Sequence, residues 1–243
     1  MREDVRRAAE LLRGNRQAIA LTGAGISVDS GIPDFRSPGG LWTRYEPMEY
    51  ATIGAFRSDP QKVWKMLLEV DALLRDAEPN PGHRALADLE QLGVIHGIVT
   101  QNIDGMHQRA GSRTVVEFHG GSHRLRCLCC DRTWEAVDLP RGEVPHCDRC
   151  HLPLKPDVVF FGEAIGRKAL ADAFDLAAQC DAVLVVGTSA TVSPASEVPL
   201  VARRAGAVLL EFNIEKTPLS DLADVCVVGS ASETLPAVVE ALR

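Results

Sequence analysis

The sequence predicts an α/β fold in which helices cover both faces of a parallel sheet and a smaller domain is inserted into the chain. Short apolar runs alternate with amphipathic segments through the second half, a pattern typical of parallel strands joined by crossover helices. The first apolar run leads into a glycine turn at Gly23 and Gly25. The segment from Cys127 to Cys150 lacks the apolar periodicity, which indicates an insert held by something other than an apolar core.

The elements of the first half follow from apolar spacing and from the residues that end each segment. Apolar residues recur at helical spacing from Val5 to Arg13, and Gly14 ends that segment. Glycine and proline crowd the stretch from Gly31 to Gly40, which indicates a loop. Helices are also expected at Val63–Leu74 and His83–Leu92, and strands at Ala18–Leu21 and Val94–Thr100.

The second half supplies the rest of the predicted sheet. Its apolar runs are expected to be strands at Val158–Phe161, Ala182–Val186, Ala207–Phe212 and Val225–Val228. Helices are expected between them at Arg167–Gln179, Ser196–Ala205 and Ser232–Leu242. The prediction is therefore one sheet domain built from residues 1–36, 84–121 and 156–243, with residues 37–83 as a helical insert and residues 122–155 as a zinc-binding module.

The composition excludes several classes of protein. The 243 residues are 46% hydrophobic and 24% charged, as in ordinary globular proteins, and the formal net charge of −7 argues against direct nucleic-acid binding. The chain begins with charged residues and has no run of about 18 apolar residues, so we expect neither a secretory signal nor a membrane span. Because four of the seven cysteines form CxxC pairs, we expect a metal rather than disulfides, and a cytoplasmic protein.

Two CxxC pairs predict a structural zinc site with the ligands Cys127, Cys130, Cys147 and Cys150. Four thiolates fill a tetrahedral site and leave no open position for water, so such a zinc ion is not catalytic. Cys129 lies beside Cys130 and leaves a second choice for the first pair. His146 and His151 flank the second pair and are alternative ligands.

The glycine turn is compatible with a phosphate site. A strand that ends in Gly-x-Gly and leads into a helix directs backbone N–H groups and the positive helix end at phosphate. The residues that fit this pattern are Gly23, Ala24, Gly25 and Ser27. Val28 stands at the third glycine position, however, and no strand carboxylate follows about 20 residues later. The turn therefore fits a nucleotide site or an ordinary tight turn, and it argues against a standard hydride-transferring dehydrogenase.

The loop after the turn carries Phe35 beside Arg36. Arginine pairs with phosphate and phenylalanine covers an apolar ring, so this loop is able to close over a nucleotide. The alternative is a solvated loop in which Phe35 packs on the core.

Polar side chains follow two predicted strands. Asn102 and Asp104 come after the strand that ends at Thr100, where ligands of parallel sheets bind, and they can fix a carboxamide and a ribose or cap a helix. His119 follows the β-like run Val115–Phe118 and precedes two glycines. That setting suits a general base, with a structural histidine as the alternative.

Seven motifs occur in a fixed order along nearly the whole chain, from about Ala8 to Leu242. They are Gly23-Ala24-Gly25-Ile26-Ser27, Gly31-Ile32-Pro33-Asp34-Phe35-Arg36, Thr100-Gln101-Asn102-Ile103-Asp104, Phe118-His119-Gly120, the two CxxC pairs, Val159-Phe160-Phe161-Gly162-Glu163 and Gly187-Thr188-Ser189. In this order and spacing the chain resembles a compact prokaryotic-type sirtuin. The resemblance implies a Rossmann-like domain and an NAD-dependent protein lysine deacylase, which releases nicotinamide, O-acyl-ADP-ribose and free lysine.

The resemblance also implies a role for each site residue. The NAD pyrophosphate would lie at the Gly23–Ser27 turn, with Phe35 and Arg36 in the loop that closes over it. Asn102 and Asp104 would position the nicotinamide and its ribose, and His119 would act as base on a ribose hydroxyl. Further NAD contacts are implied at Gln101, Ile103, Gly187, Thr188, Ser189, Asn213 and Ala231.

The resemblance places an acylated lysine peptide between two segments by strand addition. They are Phe161-Gly162-Glu163 and Val192-Ser193-Pro194-Ala195. Sirtuins that prefer succinyl or malonyl groups carry a Tyr and an Arg, three residues apart, at positions that match Leu67 and Val70 here. Because burying an unpaired carboxylate is costly, we expect neutral acyl groups, acetyl first.

Two other functions are considered beside deacylation. One is mono-ADP-ribosyl transfer to protein, and the other is a catalytically silent module that binds NAD or a partner. The presence of His119, Asn102 and Asp104 together disfavours the silent module, since it needs none of them.

Overall fold

The computed structural model describes residues 2–14, 17–35, 37–136 and 143–243. The strands are β1 (Ala18–Thr22), β2 (Ile95–Thr100), β3 (Val115–Glu117), β4 (Gly120–Arg126), β5 (Thr133–Glu135), β6 (Lys155–Val158), β7 (Ala182–Val186), β8 (Val208–Asn213) and β9 (Val225–Val228). The α-helices are α1 (Glu3–Gly14), α2 (Pro47–Tyr50), α3 (Ile53–Ser58), α4 (Pro60–Asp76), α5 (Pro81–Gln91), α6 (Met106–Arg109), α7 (Arg167–Gln179), α8 (Glu197–Arg204) and α9 (Ala231–Leu242). Within the described ranges, no helix combines the length and the apolar character that crossing a membrane requires.

The larger sheet is parallel, with the strand order β3-β2-β1-β7-β8-β9. Strands β1 and β7 are buried at every position, as expected for central strands that are covered on both faces. One apolar core packs α1, α5 and α9 against one face, and a second packs α7 and α8 against the other. The predicted Rossmann-like α/β fold is confirmed.

The strand order reverses between β1 and β7. From β1 the chain adds β2 and β3 on one side, and it later returns to add β7, β8 and β9 on the other. The connections from β1 and β7 therefore diverge at their carboxyl ends, where open α/β sheets form a ligand-binding crevice. The glycine turn and the polar residues after β2 both lie at this edge.

The smaller sheet is antiparallel, with the strand order β5-β4-β6. The apolar run Val158–Phe161 is not a strand of the parallel sheet, so that prediction is wrong. The strand is β6, which ends at Val158 and pairs with β4, and the backbone after it turns to donate from Val159 N to the His119 carbonyl at 2.8 Å. A short apolar run has no period long enough to show which sheet it joins.

The helical insert and the antiparallel sheet share one core. Phe56, Trp64 and Leu67 of the insert pack with Leu125 of β4 and with Leu154. Trp64 also donates from Nε1 to the Leu154 carbonyl at 2.9 Å. These two regions are therefore packed together as one layer beside the parallel sheet.

Candidate active site

The glycines of the turn allow the ends of β1 and β7 to approach each other. Gly23 N donates to the Val186 carbonyl at 3.1 Å, and Gly25 N donates to the Gly187 carbonyl at 2.8 Å. A Cβ atom on Gly25 would lie 2.7 Å from the Gly187 carbonyl oxygen, and one on Gly23 would lie 2.6 Å from Thr188 Cβ. The backbone of the turn therefore lies against the next loop, and it leads into a 3₁₀ helix at Ala24–Ser30.

Ser27 connects Asn102 and Asp104. Asn102 Nδ2 donates to the Gly23 carbonyl at 3.0 Å and to Ser27 Oγ at 3.1 Å. Ser27 Oγ in turn donates to Asp104 Oδ2 at 2.7 Å. Asp104 Oδ1 accepts from Met106 N at 3.0 Å, so this carboxylate also caps α6. Because both Nδ2 hydrogens of Asn102 are used inside the protein, Oδ1 is the amide atom left for a ligand.

Two buried histidines, which the sequence analysis did not single out, lie beneath this network. His83 Nδ1 accepts from Asn80 N at 3.3 Å, so Nε2 carries the proton and donates to Ser27 Oγ, also at 3.3 Å. His107 Nε2 lies 2.9 Å from Thr22 Oγ1, and the two imidazole rings meet edge to face at 5.0 Å. Asn80 and His83 form a capping box on α5, and this three-residue spacing is a sequence signal that could have placed His83 at the start of the helix, though not in the site.

Burial keeps both of these histidines neutral at pH 7. It lowers the pKa of His83 to about 4, although the Asp104 carboxylate opposes the shift. It lowers the pKa of His107 to about 3, and His83 adds to that effect. Because Nδ1 accepts from Asn80 N, the single proton of neutral His83 is on Nε2, which fixes the direction of the hydrogen bond to Ser27.

His119 lies between β3 of the parallel sheet and β4 of the antiparallel sheet. Its Nδ1 lies 3.1 Å from the Gln101 carbonyl, and because a carbonyl only accepts, Nδ1 carries the proton. Burial lowers the pKa of His119, while the bond to Gln101 opposes the shift. The ring is therefore neutral at pH 7 with Nε2 unprotonated, the state that a general base requires.

Three further predicted residues meet across the sheet edge. Gln101 Nε2 donates to Thr188 Oγ1 at 3.0 Å, and Asn213 Nδ2 donates to the Thr188 carbonyl at 3.0 Å. Ser189 follows in the same loop, with its hydroxyl 3.0 Å from that of Thr191. The ends of β2, β7 and β8 are thus joined by amide and hydroxyl groups.

The other predicted cofactor residues lie around this edge. The Ile103 carbonyl accepts from Ser122 N at 3.0 Å and from Ser122 Oγ at 2.8 Å. Ala231 is buried at the first turn of α9. Phe35 is 39% exposed and stacks on Trp42 at 5.2 Å, so it does not pack on the core. Arg36 lies outside the described residues.

The four predicted cysteines lie together. The Sγ atoms of Cys127, Cys130, Cys147 and Cys150 are all within 4.8 Å of one another. A tetrahedral zinc site with Zn–S bonds of about 2.3 Å requires sulfurs about 3.8 Å apart, and the Cys130 and Cys147 sulfurs are 3.8 Å apart. The set is all sulfur, as structural zinc prefers, so the four residues fit the ion.

The alternative ligands are not part of this cluster. His146 Nδ1 lies 2.8 Å from the Val144 carbonyl, and Cys129 is exposed. The cluster found among the described residues contains neither of them, nor His151.

The first predicted peptide segment is bonded to the helical insert. Phe161 is 45% exposed, and its backbone bonds to residues of the insert, donating to the Ala51 carbonyl at 2.9 Å and accepting from Ile53 N at 3.1 Å. Gly162 follows with a φ of 83°, in the region that favours glycine. In the second segment, the Val192 carbonyl accepts from Ser196 N at 2.9 Å.

The two predicted acyl-pocket residues lie on α4. Leu67 is buried in the core that the insert shares with the antiparallel sheet, and Val70 is half-buried against the same core. Both positions are therefore apolar in their surroundings as well as in their side chains.

The chain is similar to known proteins both in sequence and in overall fold. A model of the Sir2 family matches residues 23–194. The NAD-dependent protein deacylase 2 of Pyrobaculum aerophilum is 48% identical over 236 residues, which cover 97% of this chain and 94% of that protein. A Sir2 homologue solved in complex with NAD is 40% identical, with a TM-score of 0.92 over 98% of this chain and 93% of that one. Sir2Af2 bound to a myristoylated histone peptide is 39% identical, with a TM-score of 0.84 over 100% and 97%.

Proposed function

We infer the function from the premise that this chain belongs to the Sir2 family. It is an NAD-dependent protein lysine deacylase, which converts NAD and an acylated lysine into nicotinamide, O-acyl-ADP-ribose and free lysine. The observation that carries this proposal is the meeting of Asn102, Asp104 and a neutral His119 at one edge of the sheet. The similarity to deacylases over nearly the full length of both chains supports it.

The network around Ser27 orients the groups that would meet the nicotinamide half of NAD. When bound, NAD supplies a ribose carbon whose bond to nicotinamide can break and ribose hydroxyls that can lose a proton. Ser27 Oγ fixes the Asn102 amide by accepting from Nδ2, which leaves Oδ1 for a ligand, and it fixes the Asp104 side chain by donating to Oδ2. His119 Nε2 is a neutral acceptor for a hydroxyl proton, because Nδ1 is committed to the Gln101 carbonyl.

The remaining contacts with NAD are assigned to residues at the carboxyl ends of the strands. The turn at Gly23, Ala24, Gly25 and Ser27 would lie against the pyrophosphate, as the first turn of such sheets does. The N–H groups of Gly23 and Gly25 are already bonded to the Val186 and Gly187 carbonyls, so these two glycines would serve the close approach of the backbone rather than donate to phosphate. The adenosine half would lie across the divide between β1 and β7, against Gly187, Thr188, Ser189, Asn213 and Ala231. Gln101 and Ile103 would line the nicotinamide side, with Phe35 and Arg36 in the loop that covers it. These assignments are supported by their position at the reversal of strand order.

The cysteine cluster has a structural task. Four thiolates occupy every position of a tetrahedral zinc ion, so the ion would crosslink two turns of the small domain and activate no water. Thiolates of this kind persist where thiols stay reduced, which supports the proposal that the protein works in the cytoplasm. The division at residues 1–36, 37–83, 84–121, 122–155 and 156–243 remains a proposal. The cores on the two faces of the parallel sheet support the sheet domain, whereas residues 37–83 and 122–155 share a third core.

The substrates are acylated lysine peptides with a neutral acyl group. The peptide would enter between Phe161–Glu163 and the segment that includes Val192 and Ser193, and it would pair through its main chain. Leu67 and Val70 offer no cation to an acidic acyl group, and a buried unpaired carboxylate is costly. The histone peptide bound to Sir2Af2 carries a myristoyl group, which is neutral and supports this choice.

One assay tests the reaction. Purified protein is mixed with NAD and an acetyl-lysine peptide, and the products are weighed by mass spectrometry. We expect free lysine peptide and O-acetyl-ADP-ribose in equal amounts. Transfer of the ADP-ribosyl group to protein would instead leave label from NAD on the protein, and intact NAD would refute the proposal.

A second assay tests the acyl group. We expect the acetyl peptide to be turned over at least about 100-fold faster than the succinyl peptide, the range that one unpaired buried charge produces. The matched variant carries Leu67→Tyr and Val70→Arg. Because Arg offers a cation to the succinyl carboxylate, the ratio of acetyl to succinyl turnover should be smaller in this variant. Faster desuccinylation by the unaltered chain would contradict the assignment.

A further inference from the structure

A buried lysine joins the antiparallel sheet to the turn at Phe161–Glu163. Lys155 begins β6 and lies opposite Arg126 of β4 in the register of the sheet. Arg126 directly precedes the zinc-site residue Cys127. The Lys155 side chain is 1% exposed, so its charge lies in the interior beside the zinc region.

The Lys155 ammonium is surrounded by acceptors. Nζ lies 3.0 Å from Glu163 Oε2, donates to the Pro156 carbonyl at 3.0 Å and also donates to the Val158 carbonyl. The Phe160 ring centre lies 4.3 Å away, within the range of a cation–π contact. Burial lowers the pKa of Lys155, and the Glu163 carboxylate opposes that shift. Three oxygens and one ring thus hold a single cation.

Glu163 uses the same carboxylate oxygen to close the turn. Its Oε2 accepts from Phe160 N at 2.8 Å, and its own N–H donates to the Phe160 carbonyl at 2.9 Å. The Glu163 side chain is only 14% exposed. Without Lys155, the oxygen that fixes this turn would belong to a largely buried carboxylate that has no other ion-pair partner among the described residues.

The turn is also tied to two other regions through its backbone. Phe161 bonds to Ala51 and Ile53 of the helical insert, and Val159 N donates to the His119 carbonyl at 2.8 Å. The exposed Phe161 therefore has its position set by the insert, by the proposed base and by Lys155. A shift at any of the three would move it relative to the site of reaction.

The energetics favour a positioning role over a stabilising one. Desolvation of two buried charges cancels much of their attraction, so a pair of this kind stabilises a fold little compared with apolar residues of the same size. An ion pair with a fixed geometry does, however, hold two chain segments at a set distance and orientation.

We propose that Lys155 is a positioning residue for the acylated peptide. Through Glu163 it holds the Phe161–Glu163 turn where the peptide binds, and it makes that position depend on the zinc-bearing sheet. The inference rests on the proposed deacylase function and adds a residue that acts on the peptide side of the reaction rather than on NAD.

The test compares Lys155→Met with the unaltered enzyme and with Lys155→Arg. Lys155→Met should raise the KM for an acetyl-lysine peptide about tenfold, which corresponds to ~1.4 kcal/mol. The kcat and the Kd for ADP-ribose should stay within about twofold, because the NAD side of the site is untouched. Lys155→Arg keeps the cation and should restore most of the peptide KM.

A matched control is Arg203→Met. Arg203 pairs with Asp224 at 2.8 Å between α8 and the start of β9, away from the peptide turn. It should lower the melting temperature without changing the peptide KM. If Lys155→Met is too unstable to purify, Glu163→Gln decides the question, since it keeps the acceptor for Phe160 N but removes the partner charge, and it should raise the peptide KM by a similar factor.

The outcomes separate this inference from the proposed function. If the unaltered protein does not deacylate, the function is wrong. If it does, and the peptide KM of Lys155→Met is unchanged or rises together with the Kd for ADP-ribose, the positioning role is wrong and Lys155 is only structural.

Discussion

All five residues of β7 in the parallel sheet are buried, whereas none of the three residues of β5 in the antiparallel sheet is. The first sheet has an apolar core on each face. The second has one core, shared with the helical insert, and a cluster of four cysteines at its end. Apolar burial therefore stabilises the parallel sheet, whereas the antiparallel sheet depends on metal ligands and on a core that it shares with the helical insert. The two regions should then fail under different conditions.

Removal of zinc should unfold the antiparallel sheet but not the parallel sheet, and of the changes considered it should have the largest effect on structure and activity. Structural zinc contributes on the order of 10 kcal/mol to small domains, so a strong chelator should unfold the antiparallel sheet and loosen the insert that shares its core. All three tryptophans, Trp42, Trp64 and Trp134, lie outside the parallel sheet. Their fluorescence should change, while far-UV circular dichroism keeps most of its helical signal and deacylation falls at least about 100-fold.

Readdition of Zn²⁺ serves as the control and should restore both fluorescence and activity. If the helical circular dichroism signal is lost together with the change in tryptophan fluorescence, the two sheets unfold as one cooperative unit and do not differ as proposed. If chelation changes neither signal, the cysteines do not hold a structural ion.

His119 lies at the seam between the two sheets, and its replacement should have the next largest effect. A general base contributes about 10²- to 10⁴-fold to the rate, so His119→Ala should lower kcat by that factor and leave the melting temperature nearly unchanged. His119→Asn is the matched variant, because it keeps a donor for the Gln101 carbonyl but has no basic nitrogen. Substantial turnover by His119→Asn would remove the base assignment.

The difference between the regions also explains what the sequence could predict. The predicted bounds of β1, β2, β7, β8 and β9 lie within one residue of the observed ends, because a buried parallel strand is largely an apolar run. The antiparallel strands carry no such run, and β6 was misplaced into the wrong sheet. The spacing of the cysteines predicted the cluster instead, since ligand geometry is encoded in short loops rather than in periodicity.

The site shows the same division. Asn102, Asp104 and His119 are candidates from the sequence because each follows a strand or β-like run that periodicity identifies, and their roles stay predictions. The contacts of Ser27 with His83, and of Thr22 with His107, join residues far apart in the chain. Nothing local in the sequence indicates that a histidine on a helix will be buried under a loop from another strand, so these two residues were missed.

Acid should weaken the parallel-sheet region, where both buried histidines lie. Their pKa values in the folded state, about 4 for His83 and about 3 for His107, are below the usual 6.5. Below pH 6.5 the unfolded chain therefore binds more protons than the folded chain. The free energy of unfolding is then highest above pH 6.5 and decreases as the pH falls toward 4. Each histidine should cost about 2 kcal/mol between pH 6.5 and pH 5.

Urea unfolding at pH 7 and pH 5, followed by circular dichroism, measures this loss. His107→Asn removes one titrating group and should halve the pH dependence, although its stability at pH 7 will be lower. An unchanged pH dependence in that variant would show that His107 is not the buried neutral group described.

The smallest expected effect distinguishes two adjacent cysteines in the zinc region. Cys130 belongs to the cluster of four sulfurs, whereas Cys129 is exposed and outside it. Cys129→Ser should therefore keep one zinc per chain and change the free energy of unfolding by less than about 0.5 kcal/mol, as surface substitutions do. Cys130→Ser, one residue away, should lose the metal and reproduce the effect of chelation, because a tetrahedral site with three thiolates is open to water. Zinc measured by atomic absorption on both purified variants makes the comparison, and retention of zinc by Cys130→Ser with its loss from Cys129→Ser would reverse the ligand assignment.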